Sequence, residues 1–332
     1  MVELKNDNPP TTSINQIHDE PYLNLLEKAD FCPLFIMADH RSGTTLLYQT
    51  LVATECFNFI KSYHIVKYDE LISNYVNGTE KQARQEIEDI FKSLGMKDRV
   101  IDNVAVTPDL PEEYGFILKN AGCESYLNPN NLFKFTELCR KIQFVSKRER
   151  PLLLKNPWCF PHFMYVKTAF PEAKFIFIHR HPIHVINSKL KAARSILSVR
   201  NEYTALIAQQ YKQIFDNPVQ RFFYQLLYSS YFDLGLHRVT KEAVQSTTYF
   251  LNNIDALPKT DYVSLTYEEL CHAPEATIIK ILGFLGLEAR VTLAYDNLIQ
   301  ARQLKLLPEV ERNYERIRQK LQPYFAYHGY DT

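Results

Sequence analysis

Five short apolar runs recur along the chain, and longer stretches of mixed character separate them. The runs are continuous rather than alternating, which is typical of strands buried on both faces of a parallel sheet. They lie at 33–38, 57–61, 151–155, 173–179 and 261–266. Strands that alternate with helical stretches predict an α/β fold, with a central, mostly parallel sheet flanked by helices.

Helical patterning fills much of the sequence between these runs. One helix is predicted from Thr44 to about Glu55, where apolar positions recur at helical spacing. Another has Pro182 in its first turn, where the missing N–H costs nothing. A third starts at Pro274 and stops at Gly286.

The domain organisation follows from the polar stretches. Residues 1–20 are polar and are predicted to form a flexible arm, and 21–332 are predicted to form a single domain. Within that domain, about 69–150 is more polar and helical in pattern, which predicts a helical insertion.

Composition narrows the possible classes of function. Lys plus Arg and Asp plus Glu both total 38, so no overall field favours nucleic acid or an anionic membrane. No apolar run is long enough to span a membrane, and the first twenty residues lack the apolar core of a secretory signal. The six cysteines have no metal-ligand spacing and are predicted to be free thiols, which favours a cytoplasmic protein without a metal.

The first apolar run passes into its helix through the turn "RSGTT". Such a turn presents backbone N–H groups and the positive end of the helix dipole, which together bind anions. Around Gly43, hydroxyl donors are available from Ser42, Thr44 and Thr45, and a guanidinium from Arg41. The turn lacks the spacing and the lysine of a Walker A loop, which disfavours an ordinary ATP or GTP site.

A second candidate anion site follows the fourth run, in "FIFIHRHPIHVINS". Arg180 ends a buried strand, where a charge needs a partner, and Ser188 lies eight residues further on. Ligands bind at the carboxyl ends of strands in open α/β sheets, so these two residues are predicted to hold an anion. The alternative is that Arg180 caps the carbonyls of a neighbouring helix.

Together these strings resemble those of the PAPS-dependent sulfotransferases (PAPS is 3'-phosphoadenosine 5'-phosphosulfate). "HRSGTTLL" resembles the 5'-phosphosulfate loop of the bacterial and Golgi-type branch, and "RHPIHVINS" resembles the 3'-phosphate signature. "LLLKNPWCFPHF" and "VSLTYEELCHAPEATIIKILGFLGL" resemble two further family segments. The chain departs from the family pattern at His40, Asn156 and His181. The resemblance implies a three-layer, P-loop-like fold with a helical cap and a PAPS donor that becomes PAP.

The resemblance also implies roles for individual residues. Arg41 would stabilise negative charge on the departing 5'-phosphate, which the rest of its loop would cradle. Arg180 and Ser188 would hold the 3'-phosphate, and Tyr267 would lie near the adenine. Lys155 ends an apolar strand and would reach the transferred group or the acceptor; a structural salt bridge is the alternative.

Transfer to a hydroxyl or amine also requires a general base. His64 is the first candidate because it follows the second strand and titrates near neutrality. Glu113 is the second candidate and His162 the third.

The acceptor and the oligomeric state are left open by the sequence. The acceptor is expected to be a small molecule, a glycan or a lipid, in a cleft that aromatic residues of 111–144 and 203–232 would line. Two other classes of function stay open: a nucleotide-dependent phosphotransferase and a non-catalytic PAP- or PAPS-binding protein.

Overall fold

A parallel sheet of five strands forms the centre of the computed structural model, which describes residues 18–99, 104–295 and 305–330. The strand order is β2-β3-β1-β4-β5, and every neighbouring pair is parallel. All five predicted strands are confirmed, although the second is only two residues long. The strands are β1 (Pro33–Met37), β2 (Asn58–Phe59), β3 (Leu152–Lys155), β4 (Lys174–His179) and β5 (Tyr262–Thr266).

Helices connect and cover these strands. The α-helices are α1 (Thr44–Ala53), α2 (Ser62–Val66), α3 (Leu71–Val76), α4 (Glu80–Ser93), α5 (Tyr114–Asn120), α6 (Leu132–Phe144), α7 (Phe163–Ala169), α8 (Pro182–Ser198), α9 (Glu202–Ile207), α10 (Gln209–Asp216), α11 (Pro218–Leu227), α12 (Leu234–Asn253), α13 (Tyr267–His272), α14 (Pro274–Leu285), α15 (Pro308–Arg312) and α16 (Tyr314–His328). Short 3₁₀ helices lie at Glu20–Lys28, Tyr68–Glu70, Pro157–His162 and Ile254–Ala256. The three predicted helix starts are confirmed, and α14 ends where Gly286 adopts φ +69°.

The two faces of the sheet belong to two separate hydrophobic cores. On β1, Leu34 and Ile36 point to the core that contains α1, α13 and α14. Phe35 and Met37 point to the opposite core, to which α4–α7 and α12 contribute. Because successive side chains of a strand alternate between faces, a strand buried on both sides must be apolar throughout. The three-layer α/β architecture predicted from the continuous runs is confirmed.

The stretch between β2 and β3 folds into α2–α6, as expected for a helical insertion. Most of the predicted N-terminal arm lies outside the described residues. Asp19, near its end, is buried and forms a 2.8 Å ion pair with Lys141 of α6. No helix within the described ranges is both long enough and apolar enough to cross a membrane.

The candidate functional residues lie at the edge of the sheet that is formed by the carboxyl ends of its strands. Since all strand pairs are parallel, the carboxyl ends of the strands lie side by side. The "RSGTT" turn follows β1, Lys155 is the last residue of β3, Arg180 follows β4 and Tyr267 follows β5. Ile36 of β1 lies opposite Lys155 in the register, which places the lysine beside that turn.

Candidate active site

The turn after β1 has a tightly wound backbone. Arg41 adopts φ +71° and Gly43 adopts φ +94°, both in the left-handed region. Gly43 is the N-cap residue of α1, and no side chain caps this end of the helix. The first N–H groups of a helix have no partner within the helix, so this end can bind an anion through its backbone.

The two predicted anion-binding stretches meet at this turn. Arg41 Nε donates a 3.1 Å hydrogen bond to Ser188 Oγ on α8. Arg180 donates a 3.1 Å hydrogen bond to the carbonyl oxygen of Arg41. The Arg180 guanidinium also lies 4.2 Å from the ring centroid of Tyr267. Residues far apart in sequence therefore form one cationic cluster at the edge of the sheet.

Close packing against Tyr267, as well as the backbone dihedral angles, requires a glycine at position 43. A Cβ atom at this position would lie 2.2 Å from Cδ2 of Tyr267, far closer than real carbon atoms approach. The glycine therefore lets the tyrosine ring lie directly against the turn.

We expect Gly43→Ala to destabilise the fold more than Gly78→Ala. Both positions have positive φ, which costs an alanine about 1–2 kcal/mol, but a Cβ at Gly78 meets nothing within 4 Å. Displacing Tyr267 should add about 1–3 kcal/mol at Gly43, the usual cost of overpacking. Urea unfolding of both variants measures the difference, and equal losses would mean that the tyrosine ring moves aside freely.

Lys155 connects the turn to the helical cap. Its side chain is 1% exposed, and Nζ donates a 3.2 Å hydrogen bond to Thr45 Oγ1 of α1. The same Nζ forms a 3.0 Å ion pair with Glu113, the N-cap residue of α5. Both alternatives left open for Lys155 are thus compatible with its position, because it makes a salt bridge and also faces the anion-binding turn.

The electrostatic environment keeps Glu113 ionised. Burial, the largest effect, acts to raise the pKa of its carboxyl group. The charges of Lys155, His40 and Arg99 oppose that effect, and the pKa of Glu113 lies below its ordinary value. Glu113 therefore presents a carboxylate, able to accept a proton, next to the turn.

His64 and His162 occupy different surroundings. The His64 ring is buried. Its Nδ1 accepts a 3.2 Å hydrogen bond from the backbone N–H of Lys61, and this bond caps the N-terminus of α2, the helix that contains His64. Burial, followed by the charges of Lys61 and Arg84, holds the pKa of His64 well below its ordinary value. His162 stacks on Tyr126 with ring centroids 4.1 Å apart. Neither histidine is among the residues that line the cavity described next.

A cavity of about 720 Å³ opens beside the turn. His40, Arg41, Thr45 and Glu113 form one part of its wall. The remainder has more apolar than polar surface and comes from α5, α8–α12, the segment after β3 and the residues Arg99 and Glu112. Its other charged residues are Lys119, Lys189, Arg238 and Glu242. Aromatic residues from both stretches singled out in the sequence line it, among them Phe116, Tyr203, Tyr211, Tyr224 and Tyr228.

Each of the three positions that depart from the family pattern makes a specific contact in the structure. His40 lies edge-on to Trp158, with ring centroids 4.8 Å apart, and both line the cavity. Asn156 is buried and donates a 2.6 Å hydrogen bond to the carbonyl oxygen of Ser125 in the cap. His181 uses its backbone N–H to donate a 3.2 Å hydrogen bond to Glu268.

Asp39 is a site residue that the sequence reasoning missed. Its Oδ1 accepts hydrogen bonds from the His40 N–H (2.8 Å) and from Lys189 Nζ (2.6 Å). Its Oδ2 accepts a 3.2 Å hydrogen bond from Ser246 of α12. These contacts tie the turn to α8 and α12. The sequence did contain a signal for this residue, because its carboxylate directly follows the first apolar run.

Comparison with known proteins agrees with this arrangement. A model described as "Sulfotransferase family" matches residues 33–217, more than half of the 332 residues. The chain belongs to the sulfotransferase family. The chain is 24% identical over 275 residues to the omega-hydroxy-beta-dihydromenaquinone-9 sulfotransferase Stf3 of Mycobacterium bovis, and equally so to that of Mycobacterium tuberculosis. The match covers 77% of the chain and 63% of the length of those relatives.

Solved sulfotransferase structures share its fold. The sulfotransferase STF9 of Mycobacterium avium superposes with a TM-score of 0.61 at 13% identity, and the match covers 93% of the present chain and 79% of STF9. STF1 of Mycobacterium tuberculosis gives a TM-score of 0.55 at 12% identity, with coverages of 91% and 80%. The fold predicted from the resemblance is therefore confirmed. In the part of the chain that the structure describes, no three His, Cys, Asp or Glu residues group in a way that could hold a metal ion.

Proposed function

We propose that this sulfotransferase moves the sulfuryl group of PAPS to a hydroxyl or amine of an acceptor bound in the cavity, and releases PAP. The observation that carries the proposal is the Lys155 bridge. One ammonium group contacts Thr45 of the anion-binding turn and Glu113 of the cavity wall. A donor bound at the turn and an acceptor bound in the cavity would therefore meet at Lys155.

The residues present fit the donor. PAPS carries a phosphosulfate and a separate 3'-phosphate, and the edge of the sheet has cationic donors for both. The backbone of the turn, with Ser42, Thr44 and Thr45, would hold the phosphosulfate. Arg180 and Ser188 would hold the 3'-phosphate. Nε of Arg180 is buried and has no hydrogen-bond partner among the described residues, so a donor remains for a ligand.

Tyr267 would complete the nucleotide site. Its ring is fixed between the turn at Gly43 and the Arg180 guanidinium. The guanidinium covers one face of the ring by cation–π contact, so a base would pack beside the ring and against the arginine plane. We therefore propose that the adenine stacks beside Tyr267.

The chemistry requires charge stabilisation and one proton transfer. When bound, the donor supplies an electrophilic sulfur whose bond to the phosphate oxygen breaks as the acceptor oxygen bonds to it. Arg41 and Lys155 stabilise the negative charge that grows on the departing phosphate, in the way that preorganised cations do in phosphoryl transfer. The acceptor proton passes to the Glu113 carboxylate, and PAP leaves with the electron pair of the broken bond.

Glu113 is proposed as the general base in preference to His64 and His162. It is ionised, it lines the cavity and it lies 3.0 Å from Lys155. The Nδ1 of His64 is instead engaged in capping its own helix. A base must come within hydrogen-bond reach of the proton that it removes, and among the three candidates Glu113 has that access.

The acceptor is proposed to be a largely apolar alcohol. The cavity wall away from the turn is built from residues such as Ala192, Ile196, Leu197, Ile207 and Ile214. A mainly apolar pocket with a few polar groups at one end binds an apolar body and orients one polar group. The name of the mycobacterial relatives, which describes a hydroxylated menaquinone, points to the same class of acceptor.

PAP is expected to raise the melting temperature, and AMP, which lacks the 3'-phosphate, much less. A ligand that binds only the native state stabilises it by mass action, by about 2.7 kcal/mol at one hundred times its Kd. Differential scanning fluorimetry with PAP, AMP and ATP tests this. Equal shifts with PAP and AMP would contradict the assignment of Arg180 and Ser188. Magnesium-dependent ATP turnover would favour the phosphotransferase, and PAP binding without transfer to any acceptor would favour a binding protein.

A further inference from the structure

The helix α11 has an apolar face that contacts no other part of the described chain closely enough to be buried. Val219, Phe222, Phe223 and Leu226 follow the i, i+3, i+4, i+7 spacing of one helix face, and all four are exposed. The rings of Phe222 and Phe223 are 60% and 63% exposed. In a globular protein such a face normally packs against the core, so here it is available to something outside the chain.

The apolar surface continues beyond the end of this helix. Tyr231 is 86% exposed, and Phe232 and Leu234 are exposed beside it in sequence. We call the four residues of the α11 face together with these three the aromatic patch. Single exposed apolar residues are ordinary, but seven within sixteen positions mark an interaction surface.

The opposite face of the same helix belongs to the cavity. Tyr224 and Tyr228, one turn apart, line the cavity from this side. Neither α10 nor α11 contains a fully buried residue, so the two helices form a lightly packed wall. One thin wall thus separates the cavity from the aromatic patch.

Carboxylates and cations both lie near the patch, but the carboxylates Glu202, Asp216 and Asp233 each have a cationic partner. Asp216 pairs with Arg200, and Asp233 lies 4.0 Å from an arginine of α15, so both acidic groups are partly neutralised. Lys212 and Arg221 belong to α10 and α11, and neither has a carboxylate oxygen within 4.0 Å in the described ranges. Lys212 and Arg221 are therefore the cations that remain for an outside partner, although Arg221 also lies 4.8 Å from the ring centroid of Phe215.

We propose that the aromatic patch docks on an anionic phospholipid surface. Helices that lie in a membrane interface combine a large aromatic and aliphatic face with flanking Lys or Arg, and α10 and α11 supply such a face with one Lys and one Arg beside it. The cations complement the negative surface potential of such a membrane, whereas a second copy of this chain would bring like charges together. An apolar acceptor dissolved in the membrane would then reach the cavity past Tyr224 and Tyr228. This route rests on the proposed function, but the docking itself does not.

Vesicle co-sedimentation tests the docking without any catalytic readout. The full chain is mixed with phosphatidylcholine vesicles, with and without phosphatidylserine, and wild type is expected to bind those with phosphatidylserine. Phe222→Ser/Phe223→Ser should weaken binding about tenfold or more, since both rings leave the interface. Lys212→Gln and Arg221→Gln should each weaken it about fivefold. Phe133→Ser is the matched control, because Phe133 of α6 is 82% exposed but lies outside the patch, and it should bind like wild type.

The outcomes separate docking from folding and from self-association. Exposed substitutions should leave the urea midpoint nearly unchanged, and the single Phe222→Ser and Phe223→Ser variants serve if the double variant does not fold. Absence of vesicle binding by wild type, or equal losses in the double variant and Phe133→Ser, would overturn the proposal. So would a dimer in analytical ultracentrifugation that the double variant dissociates while vesicle binding is absent. PAP-induced stabilisation should be the same in every variant, so a failure of docking is distinguishable from a failure of the donor site.

Discussion

Glu113→Gln is expected to lower turnover about 10²–10⁴-fold, the usual contribution of a general base. Glutamine nearly keeps the shape of the side chain but cannot accept the acceptor proton. Stabilisation by PAP should stay within a few-fold of wild type, because Glu113 faces the cavity and Lys155 rather than the residues proposed to hold the nucleotide. Single-turnover rates with a fixed acceptor and PAP titrations measure the two effects separately.

The matched comparison is His64→Ala. This variant loses a buried ring and should be less stable, yet its turnover at a temperature where it is folded should stay within a few-fold of wild type. If His64→Ala abolished turnover while Glu113→Gln remained active, the base would be His64, as the sequence alone suggested.

The pH dependence of turnover adds a check on Glu113, although a flat profile near pH 6.5 fits both residues because the pKa of His64 also lies well below its ordinary value. The pKa of Glu113 lies below its ordinary value, so the carboxylate is already formed at mildly acidic pH. The wild-type rate should therefore show no rise near pH 6.5 that depends on a histidine base. A limb near that pH that disappears in His64→Ala would contradict the assignment of Glu113.

The sheet and its edge could be predicted because their causes are local. A continuous apolar run followed by a helix start specifies a strand buried in a parallel sheet, and all five runs became strands. Parallel strands place their carboxyl ends at one edge, so the turn at Arg41 and the residue Arg180 were expected at the same edge, and they are neighbours because β1 and β4 are adjacent. Those site residues followed from the fold class itself.

The order of the base candidates depended on contacts that the sequence does not show. His64 follows β2 directly, but the chain turns into α2, and its Nδ1 caps that helix. Glu113 lies far along the chain and returns to the site because Pro111 forms an antiparallel bridge with Lys61. The N–H of Glu112 also donates a 2.9 Å hydrogen bond to the carbonyl oxygen of Ile60. Pairing between such distant segments is not encoded in periodicity, so Glu113 was only the second candidate.

The exposure of the aromatic patch also could not be predicted from the sequence. The spacing of Val219, Phe222, Phe223 and Leu226 predicts a helix, and a helix formed there. Spacing alone assigns such a face to the core, since most apolar helix faces are buried. Only the tertiary structure shows that α8 packs against another side of α11 and leaves this face exposed.

Lys155→Met is expected to impair both stability and catalysis. Methionine keeps most of the volume but removes the cation that contacts Glu113 and Thr45. Breaking a buried ion pair from one side costs about 3–5 kcal/mol, because the remaining charge is left without its partner. Turnover should fall about 10²–10³-fold, as when one preorganised donor to a developing negative charge is removed.

The stability of Lys155→Met and that of wild type should change in opposite directions as the pH is lowered. In wild type the lowered pKa of Glu113 contributes stability above the pKa of the unfolded chain, and this is lost as the pH falls through the folded-state pKa. Without Lys155, burial is opposed only by the more distant charges, and the pKa of Glu113 should rise above its unfolded value. Protonation then favours the folded state, so Lys155→Met should recover stability as the pH is lowered from 7 towards 5, while wild type should not.

The double variant Lys155→Met/Glu113→Gln decides whether the pair itself is responsible. With both charges removed, no unpaired carboxylate remains in the wall of the cavity, and most of the stability lost in Lys155→Met should return. Turnover should not return, because the variant lacks both the proposed base and the proposed cation. Urea unfolding at pH 7 and pH 5 measures the stability cycle, and single-turnover rates measure the transfer. If the double variant were as unstable as Lys155→Met, Lys155 would stabilise the fold mainly through Thr45 and the turn. That result would contradict the proposal that Lys155 links the donor and acceptor sites through its ion pair with Glu113.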